Sequence, residues 1–245
     1  MKLFEALTLR NMTLANRLVL PAMVTRLSGE DGYVNQAIHE RYLRYAQGEV
    51  GLIVVEAMAV HQSKSGPLLR LGEDCFIEKQ REMVKAIHDS SPSKVAPQII
   101  HFLKIARSGW RQTVSMLSHE DIDAIVQAYA DAAYRAREAG YDAVELHMAH
   151  AYTLSSFLSR RNGRRDDYGG SLENRLRLPL RVIEAVRSSI GEDFALGVRF
   201  DGEECIKDGY GLEDAREIAL RLARLGASYV SISAGGKFED AVKVE

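Results

Sequence analysis

Two histidines and a tyrosine stand close together in the segment Glu145-Leu-His147-Met-Ala-His150-Ala-Tyr152. His147 ends an apolar run and His150 follows three residues later in a turn, so both imidazoles can donate hydrogen bonds to one carbonyl oxygen. Tyr152 can then give a proton to a developing carbanion. An arbitrary pair with this spacing is more often structural. Because no further ligand stands at metal-binding spacing, we predict no metal site.

The composition excludes several classes of protein. The chain has 245 residues, 46% of them hydrophobic and 27% charged, with a formal net charge of -2. This balance gives no reason to expect binding to nucleic acid or to an anionic membrane. The two cysteines lack CxxC spacing, and charged residues interrupt every apolar run near the N-terminus. We therefore expect a cytoplasmic protein with a small-molecule substrate and no membrane span.

Short β-branched runs alternate with stretches of helical periodicity, which is typical of a parallel α/β sheet. The runs cover residues 17–20, 51–56, 95–100, 143–147, 195–200 and 229–233. Helices are predicted from residue 122 to Gly140 behind a Ser118 cap, over 172–190, and over 212–225. Pro179 predicts a kink or an early end of the second helix. No linker or repeat divides the chain, so we predict one domain, 1–245.

The number of strands is lower than a closed barrel needs. An eight-unit (β/α)8 TIM barrel takes about 250 residues. Six strands are used by residue 233, and residues 234–245 are too few for two more βα units. Either an additional strand precedes the first one, or the chain stops before the barrel closes, and we predict a barrel that is incomplete at its C-terminus.

Five segments along the chain carry a family resemblance. They are NRLVLPAM (16–23), IVVEAMAV (53–60), PQIIH (97–101), HMAHAYTLSSFLS with NGRRDDYGGSLENR (147–159 and 162–175), and GVRF (197–200). In this order they resemble the old yellow enzyme family of FMN-dependent oxidoreductases, including its NADH:flavin oxidoreductase and 2,4-dienoyl-CoA reductase branch. The resemblance implies an eight-stranded barrel with FMN across its C-terminal mouth.

The resemblance also implies cofactor contacts. The family residues that pack on the isoalloxazine ring or bind it through the main chain match Pro21, Ala22, Met23 and Ala57. Gln98 matches the glutamine that binds the pyrimidine edge of the flavin. Arg199 matches the arginine beside flavin N1 and O2, where a positive charge stabilises the anionic reduced ring.

A catalytic scheme follows from the same resemblance. His147 and His150 match the pair that binds the substrate carbonyl oxygen, and Tyr152 matches the tyrosine that protonates the α carbon. NAD(P)H then reduces FMN, and an activated alkene of enone or enoyl type receives the hydride. The resemblance leaves the substrate open among enones, dienoyl thioesters, nitroesters and steroid-like ketones. An iron–sulfur cluster is not supported within this chain.

Three departures from the family pattern affect these expectations. Ala151 stands where the family usually has glycine, and residues 101–104 read HFLK where HxGR is common. The chain also ends before the loops of strands seven and eight, which form the phosphate site of such barrels. We therefore expect a missing FMN phosphate receptor and unpaired sheet edges. These edges predict a partner, a longer parent chain or an aggregation-prone product, and they also allow a homo-oligomer.

Two other functions compete with this interpretation. One is a flavin-free or inactive relative that keeps only the fold. The other is a barrel aldolase or lyase that uses His147 and His150 with a metal or a Schiff-base lysine. The second needs a lysine at the C-terminal end of a strand, and none of the six predicted strands has one there.

Overall fold

The computed structural model describes residues 1–61, 66–105, 108 and 110–235. An antiparallel hairpin of β1 (Leu7–Leu9) and β2 (Met12–Leu14) precedes a six-stranded parallel sheet. The strands of that sheet are β3 (Val19–Leu20), β4 (Leu52–Ala59), β5 (Lys94–Ile100), β6 (Ala143–Met148), β7 (Ala195–Asp201) and β8 (Tyr229–Ser233). They pair in chain order, β3 to β8.

This sheet confirms the predicted α/β class and the six strands of an incomplete barrel. Each predicted run overlaps one strand, although β4 continues to Ala59, three residues beyond the prediction. The sequence analysis did not predict the β1–β2 hairpin. The predicted end of the domain at residue 245 lies outside the described residues.

In the part of the chain that the structure describes, six α-helices connect the strands. They are α1 (Gln36–Gln47), α2 (Ile77–Ser90), α3 (His119–Glu138), α4 (Thr153–Leu158), α5 (Leu172–Ile190) and α6 (Leu212–Arg224). The predicted cap of α3 is confirmed: Ser118 Oγ accepts from the Asp121 amide at 3.1 Å, and the Asp121 carboxylate accepts from the Ser118 amide at 2.9 Å. None of the helices in the described part of the chain is long and apolar enough to cross a bilayer.

Pro179 does not end its helix. α5 continues through it to Ile190 and stops at Gly191, whose φ is +74°. The early boundary predicted from this proline is therefore wrong. Buried residues on both sides of Pro179, including Leu176, Leu178 and Val182, pack α5 into the core beside α3. This packing offsets the backbone hydrogen bond that proline cannot donate.

The central strands β4 to β7 are buried on both faces of the sheet. Its outer face packs against the helices, and the N-terminal half of its inner face packs against the β1–β2 hairpin. Met12 and Leu14 of the hairpin lie against the small side chains of Ala96, Ala143 and Ala195. Short side chains on three neighbouring strands leave room for the hairpin, which fills the inner space at this end of the sheet.

A β-bulge interrupts β4. Val55 pairs with Pro97 and Met58 with Ile99, so Glu56 and Ala57 together oppose the single residue Gln98. Because side chains alternate along a strand, the extra residue changes which face receives those that follow. Ala57 consequently faces the inner cavity, whereas Glu56 reaches outward to α1.

Candidate active site

The parallel strands open at their C-terminal ends into a cavity of about 1960 Å³. Six of the nine residues predicted for the site line it: Ala22, Ala57, Gln98, His147, His150 and Tyr152. They come from four strands or the segments directly after them. The cavity therefore lies where barrel enzymes place their chemistry.

The two histidines form a chain of hydrogen bonds across the cavity floor. The Ala149 amide donates to His147 Nδ1 at 3.2 Å, which leaves the hydrogen of a neutral His147 on Nε2. His147 Nε2 lies 3.3 Å from His150 Nδ1, and His150 Nε2 lies 2.6 Å from Ser233 Oγ. Both imidazoles thus present an Nε2–H, with the ring of Tyr152 5.2 Å from that of His147.

An unusual turn carries His150 to this position. His150 and Ala151 both have left-handed backbone conformations, with φ of +59° and +58°. For a residue with a Cβ this conformation costs about 1–2 kcal/mol. The departure from glycine at Ala151 therefore places a methyl group where glycine is favoured. Tyr152 follows directly and begins α4, with its carbonyl accepting from the Ser156 amide at 2.8 Å.

A buried carboxylate holds this turn from the neighbouring strand. Asp201, the last residue of β7, is 1% exposed, and its Oδ2 accepts from the His150 amide at 2.9 Å. Ser155 Oγ also donates to Oδ2 at 3.3 Å and accepts from the Ala151 amide at 3.3 Å. Burial raises the pKa of Asp201 to about 6, although the His150 amide opposes the shift.

Gln98 belongs to a layer of polar residues below the cavity. It pairs in register with Glu145 on β6, and its Nε2 donates to Glu145 Oε1 at 2.7 Å. This bond fixes the amide and leaves Gln98 Oε1 as the acceptor atom. Burial raises the pKa of the Glu145 carboxyl, and the hydrogen bond from Gln98, the nearby Tyr229 hydroxyl and the charge of Arg199 oppose that shift.

Glycine at position 197 makes this layer possible. Gly197 lies between Glu145 and Tyr229 in the register of β6, β7 and β8. A Cβ at this position would stand 2.1 Å from Tyr229 Cζ, so only glycine lets the tyrosine ring cross the strand. The phenol is thereby brought to Glu145.

Arg199 reaches both edges of the described sheet. On β7, it extends one guanidinium nitrogen towards the Ala22 carbonyl at 3.4 Å and another towards Ser233 Oγ at 3.5 Å. Its Nε is buried and has no hydrogen-bond partner among the described residues. Arg199 is half-buried and contacts Ala22, which lines the cavity, so its unpaired Nε suits an anionic or hydrogen-bonding ligand.

The remaining predicted residues, Pro21 and Met23, lie on the loop after β3. Both are exposed, Met23 to 62%, and their predicted packing on the flavin stays a prediction. Glu56 anchors the loop, because its carboxylate accepts from the Thr25 amide at 3.2 Å and from Thr25 Oγ1 at 2.7 Å. Tyr42 of α1 donates to the same carboxylate at 3.2 Å.

The atypical segment 101–104 forms one wall of the cavity. His101 Nδ1 lies 2.8 Å from Thr153 Oγ1 and thereby joins the end of β5 to the start of α4. The ring of His61 packs edge-on against those of His101 and Phe102. Burial lowers the pKa of His61 to about 4 and that of His101 to about 3, so both imidazoles are neutral near pH 7.

In the described part of the chain no strand carries a lysine at its cavity end, although Lys104 lines the cavity four residues beyond β5. No group of three or more His, Cys, Asp or Glu side chains there has metal-binding geometry. The single lysine within the strands is Lys94, the first residue of β5, at the end of the sheet opposite the cavity. It forms an ion pair with Asp142 at 2.7 Å.

Sequence reasoning missed four polar residues of the site: Ser233, Asp201, Glu145 and Glu56. Two signals were available for them. Ser233 ends a predicted strand at the cavity side and Asp201 directly follows another, and Glu145 and Glu56 are carboxylates within otherwise apolar strands. A charged residue in a buried strand needs a polar partner, so each of these carboxylates indicates a polar contact nearby.

Comparison with known proteins gives a consistent result. A model of the NADH:flavin oxidoreductase / NADH oxidase family matches residues 2–106 and 103–237. An NADH oxidase from Thermoanaerobacter brockii is 34% identical over 254 residues, covering 95% of this chain and 39% of that protein. An NADPH dehydrogenase from Geobacillus sp. (strain WCH70) is 33% identical over 258 residues, covering 99% and 75%. The chain thus spans less than half of the first relative and three quarters of the second.

Solved structures show the same architecture. An old yellow enzyme from Pichia sp. AKU4542 superposes with a TM-score of 0.84 at 25% identity, covering 94% of this chain and 70% of that one. A 2-naphthoyl-CoA reductase, in complex with 2-naphthoyl-CoA, superposes with a TM-score of 0.87 at 24% identity, covering 96% and 41%. The second likeness concerns the fold alone.

Proposed function

Because the chain belongs to the NADH:flavin oxidoreductase / NADH oxidase family, of old yellow enzyme type, we propose that it reduces an activated C=C bond. Membership places it among FMN-dependent NAD(P)H oxidoreductases. The substrate we propose is an enone or enoyl-type compound. The observation that carries this proposal is the convergence of His147, His150 and Tyr152 on the cavity that Gln98 lines and Arg199 borders.

The residues present fit the isoalloxazine ring of FMN. The buried Arg199 Nε lacks a partner among the described residues, and a flavin edge supplies an acceptor for such a group. Gln98, oriented by Glu145, offers an acceptor oxygen to a ring N–H. The small side chains of Ala57 and Ala22 in the cavity wall leave space for the ring. When bound, FMN supplies hydride transfer between NAD(P)H and the alkene.

His147 and His150 bind the substrate carbonyl in this proposal. Their Nε2–H groups donate to His150 and Ser233 in the hydrogen-bond chain described above. A carbonyl oxygen that enters the cavity accepts from these donors instead. Donors held before the substrate arrives stabilise negative charge that develops on the oxygen, and they polarise the conjugated double bond.

Tyr152 holds the proton for the α carbon. Its ring stands nearly perpendicular to His147, at 74°, on the same side of the cavity. The start of α4 and the His101–Thr153 contact fix its backbone. A proton delivered there neutralises the carbanion that forms as the β carbon is reduced. A cytoplasmic location and a homo-oligomeric assembly stay predictions from the sequence.

The proposal is tested by separating the two half-reactions of the FMN-loaded protein. We expect Tyr152→Phe to leave anaerobic flavin reduction by NAD(P)H unchanged and to slow reoxidation by 2-cyclohexenone by roughly 10²–10⁴-fold. Stopped-flow absorbance of the flavin measures both steps. Tyr134→Phe, which removes the hydroxyl of a half-exposed tyrosine on α3, is the matched control and should change neither step.

Two results would contradict the proposal. Equal loss of both half-reactions would make Tyr152 structural and not a proton donor. A purified chain that stays colourless after incubation with excess FMN would support the flavin-free relative instead. His147→Ala/His150→Ala adds a further check, since this variant should lose the spectral response to phenolic ligands while it retains flavin.

A further inference from the structure

We infer that Asp201 is a positioning residue that sets the reactive geometry of His150 and Tyr152, an inference that rests on the function proposed above. Its carboxylate contacts the backbone of the turn and the hydroxyl of Ser155, not the cavity-facing imidazoles. Asp201 is 1% exposed, and its second carboxylate oxygen, Oδ1, is buried as well. It therefore acts through the turn and not on the substrate.

The turn needs an external support. His150 and Ala151 are consecutive left-handed residues with a Cβ, a conformation that L-residues adopt rarely. Such strain persists only where the surroundings impose it. Asp201 Oδ2 accepts the His150 amide directly, and Ser155 Oγ connects the Ala151 amide to the same oxygen. Both strained residues are thus held by one carboxylate.

The support itself is rigid. Asp201 ends β7 in register with Ser233, and its carbonyl accepts from the Tyr210 hydroxyl at 2.7 Å. The Gly202 amide donates to the Ser233 carbonyl at 2.8 Å. Ser233 Oγ in turn contacts His150 Nε2 at 2.6 Å. β7 and β8 therefore fix the backbone and the imidazole of His150 from two directions.

Position matters because the donors act at short range. Oriented groups lose much of their effect when they move by about 1 Å. Without its acceptor, the part-buried His150 amide loses its partner, and the turn can relax towards right-handed conformations. His150 would then leave His147, and the first turn of α4 would carry Tyr152 with it.

A double-mutant cycle on the full FMN-loaded chain tests this role. The four proteins are the parent, Asp201→Ala, Ala151→Gly and the double variant, and the probe is 4-hydroxybenzaldehyde, titrated by difference absorbance. We expect Asp201→Ala to weaken the affinity for the probe by roughly tenfold. Glycine adopts the left-handed conformation without the Cβ penalty, so the loss should be smaller in the Ala151→Gly background. An equal loss in both backgrounds would overturn the inference.

Asp201→Asn separates the acceptor from the charge. It retains an oxygen for the His150 amide, and we expect it to keep most of the affinity for the probe. If it loses as much as Asp201→Ala, the charge and not the support of the turn is responsible, and the inference is wrong. Glu203→Ala, which removes an exposed carboxylate two residues away, is the matched control.

Amide hydrogen exchange of His150 in the flavin-free chain provides an independent measurement. Asp201→Ala should accelerate exchange of this amide without accelerating that of the core strands. Unchanged exchange would overturn the inference even if the parent binds neither flavin nor probe, an outcome that would separately refute the proposed function. If Asp201→Ala does not fold, Ser155→Ala gives the same test, with a smaller acceleration and a smaller loss of affinity expected.

Discussion

The two ends of the sheet are constructed differently. At the N-terminal end the inner space is filled by Met12 and Leu14 against the alanines of β5, β6 and β7. At the C-terminal end the same strands carry Gln98, Glu145, Arg199 and Asp201, most of them buried. The first end is close-packed and apolar. The second contains buried polar atoms without partners in the described structure, among them Arg199 Nε and Asp201 Oδ1.

This contrast shows how one fold divides two tasks. Apolar packing contributes free energy of folding, whereas buried polar groups and left-handed residues reduce it. The strained backbone at His150 and Ala151 is tolerated because the rest of the domain is well packed. This holds above all for the N-terminal end of the sheet, which the β1–β2 hairpin fills. Substitutions at the two ends should therefore affect different observables.

The largest effect on stability is expected in the β1–β2 hairpin, which fills the N-terminal end of the sheet. Leu14→Ala removes a side chain that is 1% exposed and should lower the free energy of unfolding by about 2–5 kcal/mol. Chemical denaturation measures the loss. Leu212→Ala, at a residue 74% exposed, should stay within about 0.5 kcal/mol. A similar loss for both leucines would remove the contrast between the ends, as would a changed rate of alkene reduction in the folded Leu14→Ala protein.

A smaller effect on stability is expected at Gly197, where the two ends of the sheet meet. Gly197→Ala forces a methyl group into the Tyr229 ring and should lower the free energy of unfolding by about 1–3 kcal/mol. Gly211→Ala is the control, because a Cβ there meets nothing within 4 Å. The displaced tyrosine should also disturb Glu145 and Gln98, so FMN affinity should fall with Gly197→Ala alone. Unchanged FMN affinity would show that the polar layer does not support the cofactor site.

The smallest effect is expected in the pH dependence of the free energy of unfolding. Burial holds the pKa of His61 near 4 and that of His101 near 3, below the usual 6.5, so the unfolded chain binds more protons between pH 6.5 and 4. Stability should therefore fall as pH decreases through this range. His61→Leu removes one of these groups, and its unfolding free energy should depend less steeply on pH. Identical slopes for variant and parent would show that His61 is not held neutral by burial.

Local patterns in the sequence predicted much of this molecule. The six strands and the Ser118 cap of α3 were recognisable because each depends on residues close together in the chain. The family was recognisable from five short contiguous segments in their order along the chain. The proximity of His147, His150 and Tyr152 was predictable for the same reason. The early helix end predicted from Pro179 was wrong, because packing of α5 against α3 outweighs the local cost of a proline.

Local sequence patterns were thus sufficient to predict the order of strands and helices and the chemical groups available at the strand ends. The tertiary structure decided how those groups meet. Ser233 contacts His150 from 83 residues away, and Asp201 reaches the His150 amide from 51 residues away. The bulge in β4 decides that Ala57 faces the cavity. These outcomes depend on register and on contacts between distant segments, and side-chain periodicity along a single strand contains no information about either.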